Sequence, residues 1–196
     1  MYKKRILFMI ILLPVLFQGF AQQETIGENT RGFSLRTNLL YWAVATPNLG
    51  VEWQPSDNWG ILVNGAYSHW IWSGDGKHHR TWLVQPEVRY YLGENKNWFL
   101  GLEGHAGEFN FKFKGTGYQG NAIGGGLTGG YRLPLGRDAI NRVSTFYLDF
   151  SLGLGYTSLK YEEYYRSNGV FVLKEGGLKK NVFAPTQLGV SLIFKL

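Results

Sequence analysis

Residues 184–196 read A-P-T-Q-L-G-V-S-L-I-F-K-L, and from Leu188 onward a large apolar side chain alternates with a small or polar one as far as Phe194, apart from Ile193. Successive side chains of a β-strand point to opposite faces, so such a run has one apolar face and one more polar face. The same alternation recurs along the chain in runs of roughly ten residues, which is the length of a tilted membrane-spanning strand. Backbone groups in hydrocarbon must all be paired, and only a closed sheet of strands achieves this. The pattern therefore predicts an all-β protein, a closed antiparallel eight-stranded transmembrane β-barrel.

Eight runs are candidate strands, and an even number places both chain ends on the same side of a membrane. A soluble β-sandwich is the main alternative, but ordinary soluble strands have only about five or six residues. In the fifth run the apolar set changes face after Gly107, which predicts either a β-bulge there or exit from the membrane. The candidate strands are Phe33–Ala45, Asn48–Gln54, Trp59–Trp72, Thr81–Leu92, Trp98–Phe113, Ala122–Pro134, Ser144–Tyr161 and Asn181–Leu196.

The N-terminus resembles a secretory signal peptide. Basic residues at positions 3–5 precede an apolar run from Ile6 to Phe17, and Gly19 and Ala21 are the small residues that a signal peptidase requires. The apolar run is too short for a membrane-spanning helix, which needs about 20 residues. We expect residues 1–21 to be a cleaved signal peptide, residues 22–32 a short N-terminal segment, and residues 33–196 the barrel.

Composition narrows the possible partners and chemistry. The chain has no cysteine, which excludes disulfides, thiolate metal sites and a cysteine nucleophile. Its formal charge of +6 comes partly from the signal peptide, and the remaining basic residues are scattered, so we expect no nucleic-acid partner. Its 7 Trp, 12 Tyr and 13 Phe suit the aromatic girdles of a membrane barrel. The expected environment is outer-membrane lipid and lipopolysaccharide, with surface-exposed loops and both termini in the periplasm.

The loops alternate in length, which gives the barrel an orientation. Residues 55–58, 93–97 and 136–142 are short to moderate and rich in turn formers, as periplasmic turns are. Residues 73–80, 114–121 and the long stretch 162–180 are expected outside the cell. Within the last of these, residues 170–173 are apolar, which predicts that the strands continue as a hairpin above the membrane.

The charged residues expected to face the barrel interior carry both signs in near balance. An eight-stranded barrel is only wide enough for its side chains to fill, so we expect a polar plug held by paired charges. A path for protons or ions along the same residues, or a pore for small solutes, is the alternative. The residues of this lumen polar network are Arg36, Glu52, Glu87, Arg89, Glu103, His105, Arg132, Asp149 and Lys195.

The candidate chemistry lies near the second outer loop. Ser68, His69, Asp75, His78 and His79 supply the residue types of a hydrolytic site, which needs a nucleophile, a base and an orienting acid. Outer-membrane barrels that modify lipid A place such groups at the outer rim, so a lipid-modifying enzyme is the alternative function. Ser68 and His69 are adjacent in a strand and should face opposite sides of the sheet. We therefore expect no catalytic residue, no metal site and no cofactor.

Four segments carry a resemblance to a known family: TNLLYWA at 37–43, TPNLGVEW at 46–53, QPEVRYYL at 85–92 and GGGL at 124–127. With these segments the chain resembles an uncharacterised family of outer-membrane β-barrels from Bacteroidetes, a domain of unknown function. In overall shape it is also similar to the small OmpA-type transmembrane domain. The resemblance implies a cell-envelope barrel, in some genomes encoded near fimbrial or adhesin proteins, and it assigns no catalytic residues. We expect a non-catalytic role in surface structure, adhesion or assembly of surface appendages, with the barrel-assembly machinery as folding partner.

Overall fold

The computed structural model describes residues 31–72, 77–136, 144–167 and 170–196. The predicted signal peptide and most of the 22–32 segment lie outside these residues. The elements are β1 (Gly32–Asn38), α1 (Leu39–Ala43), β2 (Asn48–Gln54), β3 (Trp59–Trp72), β4 (Lys77–Leu92), β5 (Trp98–Lys114), β6 (Thr116–Leu135), β7 (Phe146–Ser167) and β8 (Val170–Lys195). The described part of the chain contains no helix long and apolar enough to cross a membrane.

All eight strands belong to one sheet that closes into a ring. Each strand pairs antiparallel with the next in sequence, and β8 pairs back with β1 through residues such as Ser191, opposite Asn38. This confirms the predicted all-β class and the eight antiparallel strands. The ring defines an inner and an outer face, and the alternation of side chains decides which residues lie on each.

Strand β4 shows this division clearly. Its inner face carries Gln85, Glu87, Arg89 and Tyr91, which are all buried, as the sequence alternation predicts. Its outer positions Val84, Val88, Tyr90 and Leu92 are 36 to 43% exposed although they are apolar or aromatic. Strands β7 and β8 repeat the arrangement, so the ring is polar inside and apolar outside.

The first predicted strand is wrong beyond Asn38. Instead of continuing to Ala45, the chain forms the helix α1, whose first turn is capped by the Asn38 side chain accepting a hydrogen bond from the Leu40 backbone N–H at 3.0 Å. Such a cap satisfies a backbone donor that a helix start would leave unpaired. Ala45 then adopts a positive φ of 55°, and β2 begins at Asn48.

The strands on the opposite side of the ring are longer than predicted. Much of the expected outer loops is strand, because β4 begins at Lys77, β6 at Thr116, and β7 and β8 form a hairpin that ends at Ser167 and Val170. In this outer hairpin, residues 160–167 and 170–180, the register of the pairing shifts twice near Glu163. The expectation that strands extend into residues 162–180 is confirmed. The sheet is thus much shorter at β1 and β2, which have 7 residues each, than at β7 and β8, which have 22 and 26.

No bulge is present at Gly107. The β4–β5 register runs through Leu83 opposite Gly107 without a shift, and Gly107 is required there because an added Cβ would lie 2.3 Å from the Trp82 carbonyl oxygen. Phe109 and Phe111 therefore stay on the inner side of the sheet. Their rings pack 5.7 Å apart, and Phe111 packs against Tyr118 at 5.5 Å, which explains the apparent change of face.

Candidate functional site

A cluster of six charged side chains fills the inner face at mid-height. Three are arginines and three are carboxylates, so their formal charges cancel. All are buried, the most exposed being Arg132 at 7%. This central cluster consists of Arg36 on β1, Glu52 on β2, Glu87 and Arg89 on β4, Arg132 on β6 and Asp149 on β7.

Arg89 is the best-bonded cation of the central cluster. Its Nε lies 2.8 Å from Glu87 Oε1, and its Nη2 lies 3.0 Å from Glu87 Oε2, which is a two-point pairing within one strand. Its Nη1 donates to Asp149 Oδ2 at 2.7 Å. The guanidinium also lies over the Phe99 ring at 4.0 Å from the centroid, so its remaining face contacts an aromatic surface.

Arg132 joins two carboxylates that come from distant parts of the chain. Its Nε donates to Asp149 Oδ1 at 2.8 Å, and its Nη2 donates to Glu52 Oε2 at 2.7 Å. Asp149 is opposite Arg132 in the β6–β7 register, whereas Glu52 reaches it across the ring. Buried ions persist only when paired in this way, because desolvation of each charge is costly.

Arg36 differs from the other two arginines. Its Nη1 lies 3.4 Å from Asp149 Oδ2 and 3.7 Å from Glu52 Oε2, within ion-pair distance. Among the described residues its three guanidinium nitrogens have no hydrogen-bond partner. Arg36 therefore contributes charge balance rather than directional bonding.

Two neutral side chains, Tyr91 and Thr128, complete the cluster, although they are not among the residues predicted for the lumen polar network. The Tyr91 hydroxyl donates to Glu52 Oε1, and the Thr128 hydroxyl donates to Glu87 Oε1 at 2.6 Å. Tyr91 also lies 4.8 Å from the Arg132 guanidinium carbon, measured from its ring centroid. The alternation along β4 predicts that Tyr91 points into the ring, but it does not predict that Glu52 accepts its hydrogen bond.

The remaining predicted lumen residues lie apart from the central cluster. His105 Nδ1 lies 3.2 Å from Glu103 Oε2, and His105 Nε2 lies 2.9 Å from the Thr157 hydroxyl. Lys195, near the end of β8, is half-buried and stands opposite Ser34. The structure thus divides the nine predicted residues into a six-membered cluster, a Glu103–His105 pair and a terminal lysine.

The residues considered for hydrolytic chemistry do not form one group. Ser68 is buried on the inner face of β3, and His69 is exposed on the other side. His78 bonds through Nε2 to Asn110 Oδ1 and to the Tyr164 hydroxyl, each at 2.8 Å, and Asp75 lies outside the described residues. Within the part of the chain that the structure describes, no three His, Asp or Glu side chains come together as metal ligands.

The outer face carries an apolar band with aromatic side chains along one edge. Ring pairs at this edge include Trp59 with Tyr90, at 5.0 Å between centroids, and Trp98 with Tyr131, at 4.9 Å. At the other edge the outward positions change from apolar to polar in neighbouring strands. The polar residues that follow the band are His69, Arg80, Glu108, Asn121, Ser158 and Asn181.

The chain belongs to a family described as a protein of unknown function, DUF3575, whose pattern it matches over residues 7–196. No curated protein and no solved structure shows a significant match to it.

Proposed function

We propose that this member of the DUF3575 family is a non-catalytic outer-membrane β-barrel that acts in surface structure, adhesion or assembly of surface appendages such as fimbriae. The observation that carries the proposal is the inverted polarity of the ring. Soluble proteins bury apolar residues and expose charges, whereas here six charges are buried inside and apolar side chains are exposed outside. Lipid around the ring accounts for both features.

The dimensions of the apolar band also support membrane insertion. On β7 the outward residues from Leu148 to Tyr156 are apolar or aromatic, and Ser158 and Lys160 follow. This corresponds to a strand of nine residues, within the range of about 9 to 11 for a tilted membrane strand. The aromatic pairs at the opposite edge correspond to the interfacial girdle of such barrels.

The interior favours a closed plug over the pore alternative. The central cluster links side chains from five strands by ion pairs of 2.7 to 3.7 Å, and Tyr91 and Phe99 pack against its arginines. The interior of an eight-stranded barrel has room for such side chains or for one small ligand, but not for an aqueous channel. The lipid-modifying alternative has weaker support, because Ser68 and His69 lie on opposite faces of β3.

The role at the cell surface is supported by the strands that extend past the apolar band. The outer hairpin carries charged edges, including an ion pair of 2.9 Å between Lys174 Nζ and Glu163 Oε2, a contact that raises the pKa of Lys174. The rings of Phe109, Phe111 and Tyr118 pack together, with neighbouring centroids 5.5 to 5.7 Å apart, and are only partly exposed. In the described part of the chain, the edge of β8 in the outer hairpin has no neighbouring strand, and such edges and partly exposed aromatic side chains are features that protein partners bind.

The test replaces residues 162–180 with a short turn in the native host and compares surface appendages and adhesion with the wild type. The proposal predicts that the variant still folds and reaches the membrane but loses appendage display or adhesion. The matched control alters the opposite turn, residues 93–97, and should leave both properties unchanged. Unchanged appendages and adhesion in the hairpin variant would contradict the surface role.

A further inference from the structure

Strands β1 and β2, which lie between β8 and β3 in the ring, end before their neighbours do on the side of the outer hairpin. The β1–β8 register ends at Asn38 opposite Ser191, and the β2–β3 register ends at Asn48 opposite Ala66. Beyond these pairs β8 continues towards the outer hairpin and β3 continues to Trp72. Helix α1 and the loop after it occupy the space between the two strand edges, so the upper wall at this place is not a sheet.

This gap lies beside the apolar band. The outward residues of β8 that follow the last β1 pair are Leu188, Pro185 and Phe183, and Phe183 is 73% exposed. In a membrane-inserted barrel they would lie at hydrocarbon depth in the outer half. An unpaired backbone edge at that depth is unfavourable unless its groups find other partners.

Side chains supply those partners along the edge of β8. Asn38 Nδ2 donates to the Leu188 carbonyl at 3.0 Å, and the Val190 N–H donates to Asn38 Oδ1 at 3.3 Å. From inside the ring, Gln85 Nε2 donates to the Thr186 carbonyl at 3.4 Å. Pro185 has no N–H to satisfy. Three backbone groups of the β8 edge thus have side-chain partners in place of a neighbouring strand, so the helix α1 can replace the sheet at this point.

A cavity of about 190 Å³ lies inside the ring next to the helix and loop that fill this gap. It is lined by residues of α1 and its loop, among them Val44, and by inner-face residues of β3 and β4, among them His79. Its wall changes in polarity along the strands. Ala66 opposite Leu83 is an apolar pair, and Ser68 opposite Thr81 is a hydroxyl pair one step further out. A cavity with this gradient suits an amphipathic ligand, with its apolar part towards Leu83.

Ser68 indicates where the polar part of the ligand lies. The residue is 2% exposed, and its hydroxyl has no hydrogen-bond partner among the described residues. Buried hydroxyls in proteins are nearly always bonded, so an unpartnered one lining a cavity points to an oxygen supplied from outside. Ser68 stands between Tyr67, at the end of the apolar band, and His69, beyond it. That is the level at which hydrocarbon gives way to acyl esters in a bilayer.

We infer that the cavity binds one acyl chain of an outer-leaflet lipid, which enters laterally between β8 and β3 and places its ester or hydroxyl oxygen against the Ser68 hydroxyl. An apolar protein cavity of about 150 Å³ binds benzene, so the volume fits a segment of chain rather than a whole lipid. The inference rests on the proposed membrane location and adds a specific lipid site to it.

The test uses the full chain in vesicles of phosphatidylethanolamine and phosphatidylglycerol that contain a phosphatidylethanolamine with a diazirine in one acyl chain. After irradiation, mass spectrometry locates the labelled residues. The inference predicts labels at inward Ala66 and Leu83 in addition to outward Val63 and Val84. Labels at the outward residues alone would overturn the lipid site and leave the membrane location intact. Labels at neither face would overturn both.

Two variants separate occupancy of the cavity from general lipid contact. Ala66→Phe fills the cavity and should lower the labelling of the inward residues, such as Leu83, at least tenfold. Ala106→Phe places the same side chain on the outer face and should leave the labelling of the inward residues unchanged. Leu83→Trp fills the cavity from β4 and serves if the first variant fails to fold. Undiminished inward labelling in a folded cavity-filling variant would overturn the inference.

Discussion

Arg89→Ala is expected to destabilise the protein by about 3 to 5 kcal/mol, the range for removing one partner of a buried ion pair. Arg89 is fully buried and donates three hydrogen bonds, at 2.7 to 3.0 Å, to Glu87 and Asp149. Without it the central cluster has two cations and three carboxylates. The uncompensated negative charge remains inside the ring, because Glu52, Glu87 and Asp149 are all buried.

A charge-balanced variant separates lost pairing from lost packing. Glu87→Gln combined with Arg89→Met leaves two arginines and two carboxylates, and neutral replacements of buried pairs are often well tolerated. The double variant should therefore be more stable than Arg89→Ala. The exposed Arg80 supplies the surface control, since Arg80→Ala should change stability by no more than about 0.5 kcal/mol.

The assay is urea unfolding of the full chain in vesicles of fixed composition, followed by tryptophan fluorescence. Linear extrapolation gives the free energy of unfolding, and the slope shows whether the variants unfold the same surface. The reasoning fails if Arg89→Ala unfolds at the wild-type urea concentration. It also fails if the charge-balanced variant is the less stable of the two.

Two further predictions use the same assay. Leu152→Arg puts a charge on the outward apolar band and should lower the free energy of unfolding by about 2 to 4 kcal/mol. Asn121→Arg lies beyond the band and should lower it by only about 0 to 1 kcal/mol. Equal effects of the two variants would contradict the proposed position of the band in the membrane. Gly101→Ala should lower the free energy of unfolding by about 1 to 3 kcal/mol, because an added Cβ would lie 2.6 Å from Glu87 Oε1. Gly104→Ala is the control and should have a small effect, because its Cβ would meet its nearest atoms only at 3.8 Å. A mild Gly101 variant would mean that the cluster is loosely packed.

The inward positions could be predicted from sequence, but their partners could not. A strand alternates with a period of two, so Glu87 and Arg89 on β4 had to share a face. The contact of Arg89 with Asp149 joins residues 60 positions apart. It depends on ring closure and on the register of every strand between them, which alternation in a single strand does not contain.

The limits of several strands were mispredicted for local reasons. At Asn38 a side-chain cap starts a helix where the apolar residues 39–43 continue to look like strand. In the outer hairpin, the glycines and charges are typical of a loop, yet residues 159–167 pair with residues 170–180 because β7 and β8 already lie side by side. Tertiary pairing overrode the local composition there.

Contact between the outer face of the ring and lipid is the central proposal. Cysteine accessibility tests it most directly, because the chain has no native cysteine. Three single variants are treated on intact cells with a membrane-impermeant maleimide: Glu175→Cys in the outer hairpin, Asn95→Cys in a short turn, and Leu152→Cys on the apolar band. We predict that position 175 reacts at once, position 95 reacts only after the outer membrane is permeabilised, and position 152 stays protected until the protein is unfolded. Equal reaction at all three positions would contradict a membrane-spanning ring.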